Sequence, residues 1–502
     1  MNATAESPTQ RAPVGARARA SSIALGFAVI VLAMLPAVLD QTILATALPT
    51  IAADLGSVTD VSWVVTAYVI AAAATTPLWG KLGDRHGRRR LLEASLTLFL
   101  AASALCGLTQ DITELIVARS VQGAAAGGLM ALAMAAVGDL VSPRERGRYQ
   151  GYIAAAFAVA TVVGPLLGGA IVEGAGWRWV FYLNLPIGLL ALAGLRSLLP
   201  AVPGHRADAR LDLAGATLLA GATTTLMLAC IWGGERYAWG SWQTVSLMAV
   251  ALVGGAAFVR RERAAADPLV PLGLLRAPVV AIASAGLFLA TAALFAITVF
   301  VPLYLQTTTG ATPTEAGLLL VPAMLGITLS TTFAGRSVAR TGRYKRFPVA
   351  GMALMAAGLV LLAVVAGDPS RLTTAIGLVV FGLGFGMVGQ ILITAVQNDV
   401  DRPMLGVATA ATSFFRGLGG AVGAALLGAV FAARVGEGTA AEVGDAVRVV
   451  FLAGAGIAVV ALGVVLALRE VPLRGPGQCP RARGRQGCPE VTVLGPPVGD
   501  RG

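Results

Sequence analysis

Fourteen long apolar stretches, separated by short turn-rich pieces, dominate this 502-residue sequence. They run roughly over residues 22–48, 60–80, 91–109, 112–137, 149–173, 178–199, 211–233, 242–260, 279–305, 314–337, 347–366, 371–396, 405–433 and 446–468. Each is close to the roughly 20 apolar residues with which an α-helix crosses a bilayer. Of all residues 56% are hydrophobic and 13% charged, against about 25% charged in an ordinary soluble chain. There is too little polar surface to enclose that much apolar material in water, so the bilayer must serve as a second solvent. In lipid the backbone has to satisfy its own hydrogen bonds, which selects an all-α polytopic membrane fold. The 62 glycines suit such a fold, because small residues let membrane helices approach closely.

The net charge is +11. A basic excess often signals nucleic acid, but here Lys and Arg sit in short loops, concentrated after the even-numbered stretches. That is a topology signal: it puts those loops and both termini in the cytoplasm and argues against a nucleic-acid partner. The tryptophans Trp63, Trp79, Trp177, Trp179, Trp232, Trp239 and Trp242 fall near span ends, the membrane–water interface that amphipathic rings prefer. Residues 1–21, with Arg11, Arg17 and Arg19, resemble the start of a signal peptide, but the run that follows is too long for a signal core and reads as the first span. Residues 471–502 are Pro-, Gly- and Arg-rich, and a disordered cytoplasmic tail is expected there.

Several chemistries find no support. There is no Gly-xxxx-Gly-Lys-Ser/Thr phosphate loop, so no built-in ATPase is expected. His86 and His205 both lie in polar loops, and Cys106, Cys230, Cys479 and Cys488 have no His nearby in a metal-binding spacing. No enzyme chemistry, metal or cofactor is expected.

The sequence repeats internally. Gly80, Asp84, Arg85, Gly87 and Arg88 align with Gly335, Ala339, Arg340, Gly342 and Arg343 at an offset of 255 residues, and the same offset lays Gly164 and Gly168 on Gly419 and Gly423. The simplest parse is 6+2+6: an N-terminal segment (1–21), a six-helix bundle (22–200), two inserted helices (201–265), a second six-helix bundle (266–470) and the tail. Duplicated helical halves are the build of secondary transporters, which bind substrate between the halves near the midplane.

A few polar residues lie inside apolar stretches. Asp40 is an intramembrane carboxylate, costly and functional by default; a structural ion pair is the blander reading. Arg119, Gln122 and Gly123 share one helix face at i, i+3 and i+4, with Asp40 the expected partner of Arg119 and a snorkelling arginine the alternative. Arg416 stands in span 13 among Gly417, Gly419, Gly420 and Gly423; a mid-span arginine must face a cavity or a counter-charge. Gly164, Pro165, Gly168 and Gly169 read as a hinge, a seal or plain helix packing. Gln390 ends a smooth glycine-rich face in span 12, where packing is the simpler reading. The Gly80–Arg90 run is expected to be a cytoplasmic gating loop; its second copy lacks the acid.

Taken in order, these residues resemble the major facilitator superfamily, in its fourteen-span drug:proton antiporter branch. Leu39, Asp40, Gln41, Thr42 and Ile43 with Ala47, Leu48 and Pro49 resemble its first-helix motif. Gly80, Leu82, Asp84, Arg85, Gly87, Arg88 and Arg89 resemble the superfamily's loop motif; Arg119, Gln122 and Gly123 its fourth-helix motif; Gly164, Pro165, Gly168 and Gly169 the antiporter motif; and Trp177, Arg178, Trp179, Phe181, Asn184, Pro186 and Gly188 the opening of helix 6. The resemblance reaches to about residue 468. It implies export of amphipathic, often cationic drugs or antibiotics in exchange for protons by a protein working as a monomer. It further implies that Asp40 and Arg119 couple protons and that the 80–90 run latches one state. Gln122, Asn184, Gln390 and Arg416 are the expected substrate-path residues. An exporter of a native metabolite or siderophore, a proton symporter and a non-transporting membrane sensor are the rival readings.

Overall fold

The computed structural model describes residues 14–55, 61–141, 143–199, 212–234, 236–310, 318–366, 371–435, 439–471 and 473. Residues 1–13 and nearly all of the expected tail lie outside the described residues. Among the described residues the chain is helical, with no strand beyond one isolated bridge between Gly233 and Tyr237.

The helices are α1 (Val14–Asp54), α2 (Val61–His86), α3 (Arg88–Leu108), α4 (Ile112–Leu140), α5 (Pro143–Gly174), α6 (Arg178–Tyr182), α7 (Asn184–Leu198), α8 (Leu213–Trp232) and α9 (Trp242–Ala264). They continue with α10 (Leu272–Arg276), α11 (Pro278–Thr309), α12 (Val321–Thr341), α13 (Arg346–Val365), α14 (Arg371–Asp399), α15 (Leu405–Ala432) and α16 (Ala440–Leu466). Helices α6 and α7 run on as one span, Arg178–Leu198, and among the described residues 13 helical spans are long and apolar enough to cross a membrane.

The sequence predicts fourteen spans. The one outside the thirteen is α12, which has the length (21 residues) but carries Ser330, Thr331, Arg336 and Arg340. Ser330 and Thr331 are buried against α14, so this helix is less apolar because it spends polar residues on its neighbours rather than on lipid. Two boundaries also differ from expectation. Helix α1 begins at Val14, inside the segment expected to precede the first span. The expected loop over Gly80–Arg90 is largely helix: α2 continues to His86 and only Gly87, at φ 92°, breaks the chain before α3. That positive φ is open to glycine at little cost.

Packing repeats with the sequence. Helix α1 packs on α5 and α7, α2 on α4, and α3 on α4; correspondingly α11 packs on α15 and α16, α12 on α14, and α13 on α14. Glycine makes the equivalent contacts possible. A Cβ at Gly164 or Gly168 would collide with Thr42 and Thr46 of α1, and one at Gly419 or Gly423 with the backbone of Phe288 and Ala292 in α11. Between the halves, α2 meets α15 and α5 meets α12. Helices α8 and α9 form a hairpin beside α2 and α15. Its open end, where α8 starts and α9 finishes, is tied by Asp212, whose carboxylate takes the Gly215 N–H at 3.0 Å and Arg261 at 3.1 Å. These two partners hold the Asp212 carboxyl below the usual carboxylate range, the backbone N–H first.

Candidate functional site

Asp40 and Arg119 meet in the interior of the first bundle, both 0% exposed. Arg119 donates through Nη1 to Asp40 Oδ2 at 2.5 Å and to Gln122 Oε1 at 2.6 Å, and through Nε to the Val64 carbonyl at 3.0 Å. Asp40 Oδ1 accepts from Gln122 Nε2 at 3.0 Å and from Asn184 Nδ2 at 3.1 Å. Both amides also donate to Ser103 Oγ, at 3.2 and 3.0 Å, and that hydroxyl donates to the Phe181 carbonyl at 2.9 Å. Asn184 Oδ1 is buried with no partner among the described residues. The Tyr68 ring lies 4.2 Å from the guanidinium carbon, a cation–π contact that is strongest away from water.

Local sequence explains the assembly. The i, i+3 spacing aims Arg119 and Gln122 at one carboxylate. Gly123 leaves room for the α2 backbone at Tyr68, where any Cβ would clash. Asn184 reaches Asp40 because α7 begins there, after the α6–α7 joint at Leu183. Arg119 is thus fully enclosed and does not snorkel to the surface. The expected proton-coupling pair and two expected path residues, Gln122 and Asn184, form one cluster. Ser103 and Tyr68 complete it and carry no warning in the sequence, since a lone serine or tyrosine in an apolar helix has no distinctive pattern.

A second site lies at the end of the molecule that carries the α2–α3 turn, here called the basic end. Asp84, in the last turns of α2, accepts from the backbone N–H groups of Gly406 at 2.9 Å and Val407 at 2.8 Å, across the interface between the halves. These are first-turn amides of α15, which have no partner within their own helix and sit at the positive end of its dipole. Arg88 pairs with Asp84 at 2.7 Å and with Asp139 of α4. Gly80 lets α2 touch Gly406 and Ala410, and its repeat partner Gly335 lies on the backbone of Gly147 in α5. Arg146, 4% exposed, donates to the Gly138 and Gln397 carbonyls, and Gln397 donates to the Met134 carbonyl of α4 at 3.3 Å. Arg146 and Gln397 are not singled out by the sequence reading.

At the opposite end Asp54 accepts from Trp177 Nε1 at 2.8 Å and from Arg178 at 2.9 Å. These hydrogen bonds lower the Asp54 pKa, that from Trp177 most. Gln390 and Arg416 belong to neither cluster; among the described residues no hydrogen bond or ion pair reaches the side chain of either. Pro165 lies within α5, between Gly164 and Gly168, and Gly169 faces open space.

The Major Facilitator Superfamily model matches residues 30–424. The chain belongs to the major facilitator superfamily. An uncharacterized MFS-type transporter of Mycobacterium tuberculosis is 41% identical over 399 residues, 80% of this chain and 58% of that protein. The chain therefore spans little more than half the length of that relative. The multidrug transporter protein MdtP of Bacillus subtilis is 36% identical over 400 residues, 79% of this chain and 73% of that protein. Efflux pump FUS6 of Gibberella fujikuroi is 32% identical over 407 residues, 80% of this chain and 73% of that protein. Among solved structures, the human organic anion transporter MFSD10 superposes with a TM-score of 0.65 at 16% identity, over 88% of this chain and 99% of that one. At that identity the match concerns the fold alone, and the fold of this major facilitator is that of its superfamily.

Proposed function

We propose that this major facilitator is a proton-coupled exporter of amphipathic small molecules, working as a monomer by alternating access. The observation that carries the reading is the fully enclosed Asp40–Arg119 pair, whose carboxylate is held by two amides that share Ser103. A membrane scaffold has no need of such a group; a proton carrier does. Protonation of Asp40 removes the anion that Arg119 faces, and the freed guanidinium then drives rearrangement of α1 against α4. Asn184 Oδ1, which has no partner, becomes the acceptor for the new O–H when the amide turns over. One proton crossing about 100 mV supplies about 2.3 kcal/mol, which sustains roughly 50-fold accumulation of a neutral substrate.

The membrane arrangement belongs to the same proposal: fourteen spans as 6+2+6, a first bundle over 22–200, an inserted pair over 201–265, a second bundle over 266–470, and the basic end with both termini in the cytoplasm of a cell-membrane protein. With the halves joined at the basic end, the conformation is outward-facing. The Asp84 contact to α15 and the Gly335–Gly147 contact latch that state, and the α1–α5 glycine contact at Gly164 and Gly168 seals the bundle.

Everted vesicles test it. Energised vesicles should release protons when a panel of amphipathic compounds is added, and Asp40→Asn should abolish the release at unchanged expression. Proton release that persists in Asp40→Asn sinks the coupling role. A second reading, export of a native metabolite, is favoured by one fungal relative, 32% identical, which is the MFS-type transporter of an acurin A biosynthesis cluster.

A further inference from the structure

Arg88 and Arg119 are matched to carboxylates; Arg416 is not. It lies eleven residues into α15, about 17 Å from the basic-end terminus at 1.5 Å per residue. It is partly exposed, and no hydrogen bond, ion pair or ring contact reaches it among the described residues. Its neighbours on the helix fix where it points. A Cβ added at Gly417 would meet the Ala73 side chain of α2, in the other half, at 3.9 Å, and one added at Gly420, one turn on from Arg416, would meet the Thr291 side chain of α11 at 3.6 Å. Arg416 therefore looks into the gap between α11 and α2. Leu426, which is 51% exposed and marks the outer face of α15, lies roughly 80° away around the helix.

A second polar side chain stands at the same depth. Gln390 precedes the end of α14 by nine residues, about 14 Å. It shares a face with Gln397, seven residues on, and Gln397 donates across the interface to Met134 of α4. Gln390 thus also faces the other half. Among the described residues its Oε1 is buried without a partner, and no hydrogen bond reaches its amide nitrogen. No carboxylate of α12–α15 stands near that depth: Asp399, the last residue of α14, is the only one those helices contain.

An isolated guanidinium in a membrane interior is costly, and it is kept where something else neutralises it. The Asp40–Arg119 pair is neutral as a unit, so Arg416 sets the charge of the space between the halves. We propose that Arg416 and Gln390 form the subsite for an oxyanion (a carboxylate, sulfonate or phosphate) carried by the exported molecule. This deepens the export reading and rests on it, and it replaces the cationic substrate that the family resemblance implies. The guanidinium offers a bidentate fork to such a group, and the Gln390 amide donates a further hydrogen bond.

Binding to the purified full-length chain tests this, with a set of amphipathic carboxylic acids, each beside its own methyl ester, read by thermal shift and tryptophan fluorescence. Acids should bind more tightly than their esters. Arg416→Gln should weaken the acids by about 10- to 100-fold, the loss of a hydrogen bond to a charged group, and the esters far less. Ester binding that persists also reports a folded site. Arg416→Lys should keep part of the preference, because charge survives and fork geometry does not, and Gln390→Leu should show a smaller loss. A wild type without any preference for acids, or an Arg416→Gln variant that keeps it, overturns the proposal. Proteoliposomes separate it from its parent. Arg416-dependent acid binding without proton-driven transport sinks the export reading and leaves the subsite; proton-driven transport of ethidium with no acid bound does the reverse.

Discussion

Asp40 accepts three hydrogen bonds, one from a guanidinium and two from amides, so removing either charge leaves the other stranded in an apolar interior. Breaking a buried pair from one side costs about 3–5 kcal/mol, whereas replacing both partners is often close to neutral. Arg119→Gln and Asp40→Leu should therefore each lower the melting temperature of the detergent-purified protein by several degrees, and the double variant should recover most of the loss. Additive losses in the double variant would mean that the two charges are stabilised separately. The same physics explains what the sequence discloses at this scale. Asp40 and Arg119 stand out because a charge in an apolar run is conspicuous. Ser103, which both amides need, and Tyr68, which covers the guanidinium, belong to residue types that membrane helices carry freely. Arg416 is equally conspicuous, but only the structure reveals that it has no partner among the described residues.

Helices meet where glycine removes a side chain and where a helix end presents unpaired amides. The first kind of contact is readable, because the spacing of Gly164 and Gly168 recurs 255 residues later. The second is not: that α15 begins at Leu405, and so offers the Gly406 and Val407 amides to Asp84, depends on where one helix starts. The Gly80–Arg90 run illustrates the limit. Its charges suggest a loop, yet α2 carries them as helix to His86 and puts Asp84 under α15. Asp84→Ala removes a carboxylate from a helix N-terminus, a loss of about 1–2 kcal/mol, and should populate the form with the basic end open. A cysteine in place of Gln397, buried at that interface, should react with maleimide roughly 5- to 30-fold faster in the Asp84→Ala background. Unchanged labelling would show that the contact does not hold the halves together. Gly335→Leu should act in the same direction through sterics alone, since its Cβ would overlap the Gly147 backbone, and its effect should not respond to salt.

The molecule as a whole is a pair of repeated bundles whose two basic-end contacts are built differently. Both lay glycine on glycine, Gly80 on Gly406 and Gly335 on Gly147; the first adds hydrogen bonds from α15 to Asp84, at whose place the second has Ala339. The first is braced by a third body. Lys81 and Arg85 of α2 both reach Asp267, in the segment after α9. Glu262 of α9 accepts the N–H groups of Leu269 and Val270 at 3.1 Å. Leu269 and Val270 in turn pack with Leu219, Phe258 and Ala411, against Leu78 of α2 and Phe414 of α15. The α8–α9 hairpin and its exit segment therefore touch both halves on one side of the closed basic end. A brace of this kind must let go before that end can open. Asp267→Asn should cut its ionic tie to α2 while sparing the apolar packing. An ion pair of this exposure contributes on the order of 1 kcal/mol, so melting temperature should move by no more than a few degrees, while maleimide labelling of the Gln397 cysteine should rise about fivefold. If labelling stays flat while Asp84→Ala raises it, the hairpin rides on the two halves without bracing them. If both raise it, and the double variant exceeds neither by much, Asp84 and Asp267 act through one common opening of α2 from α15.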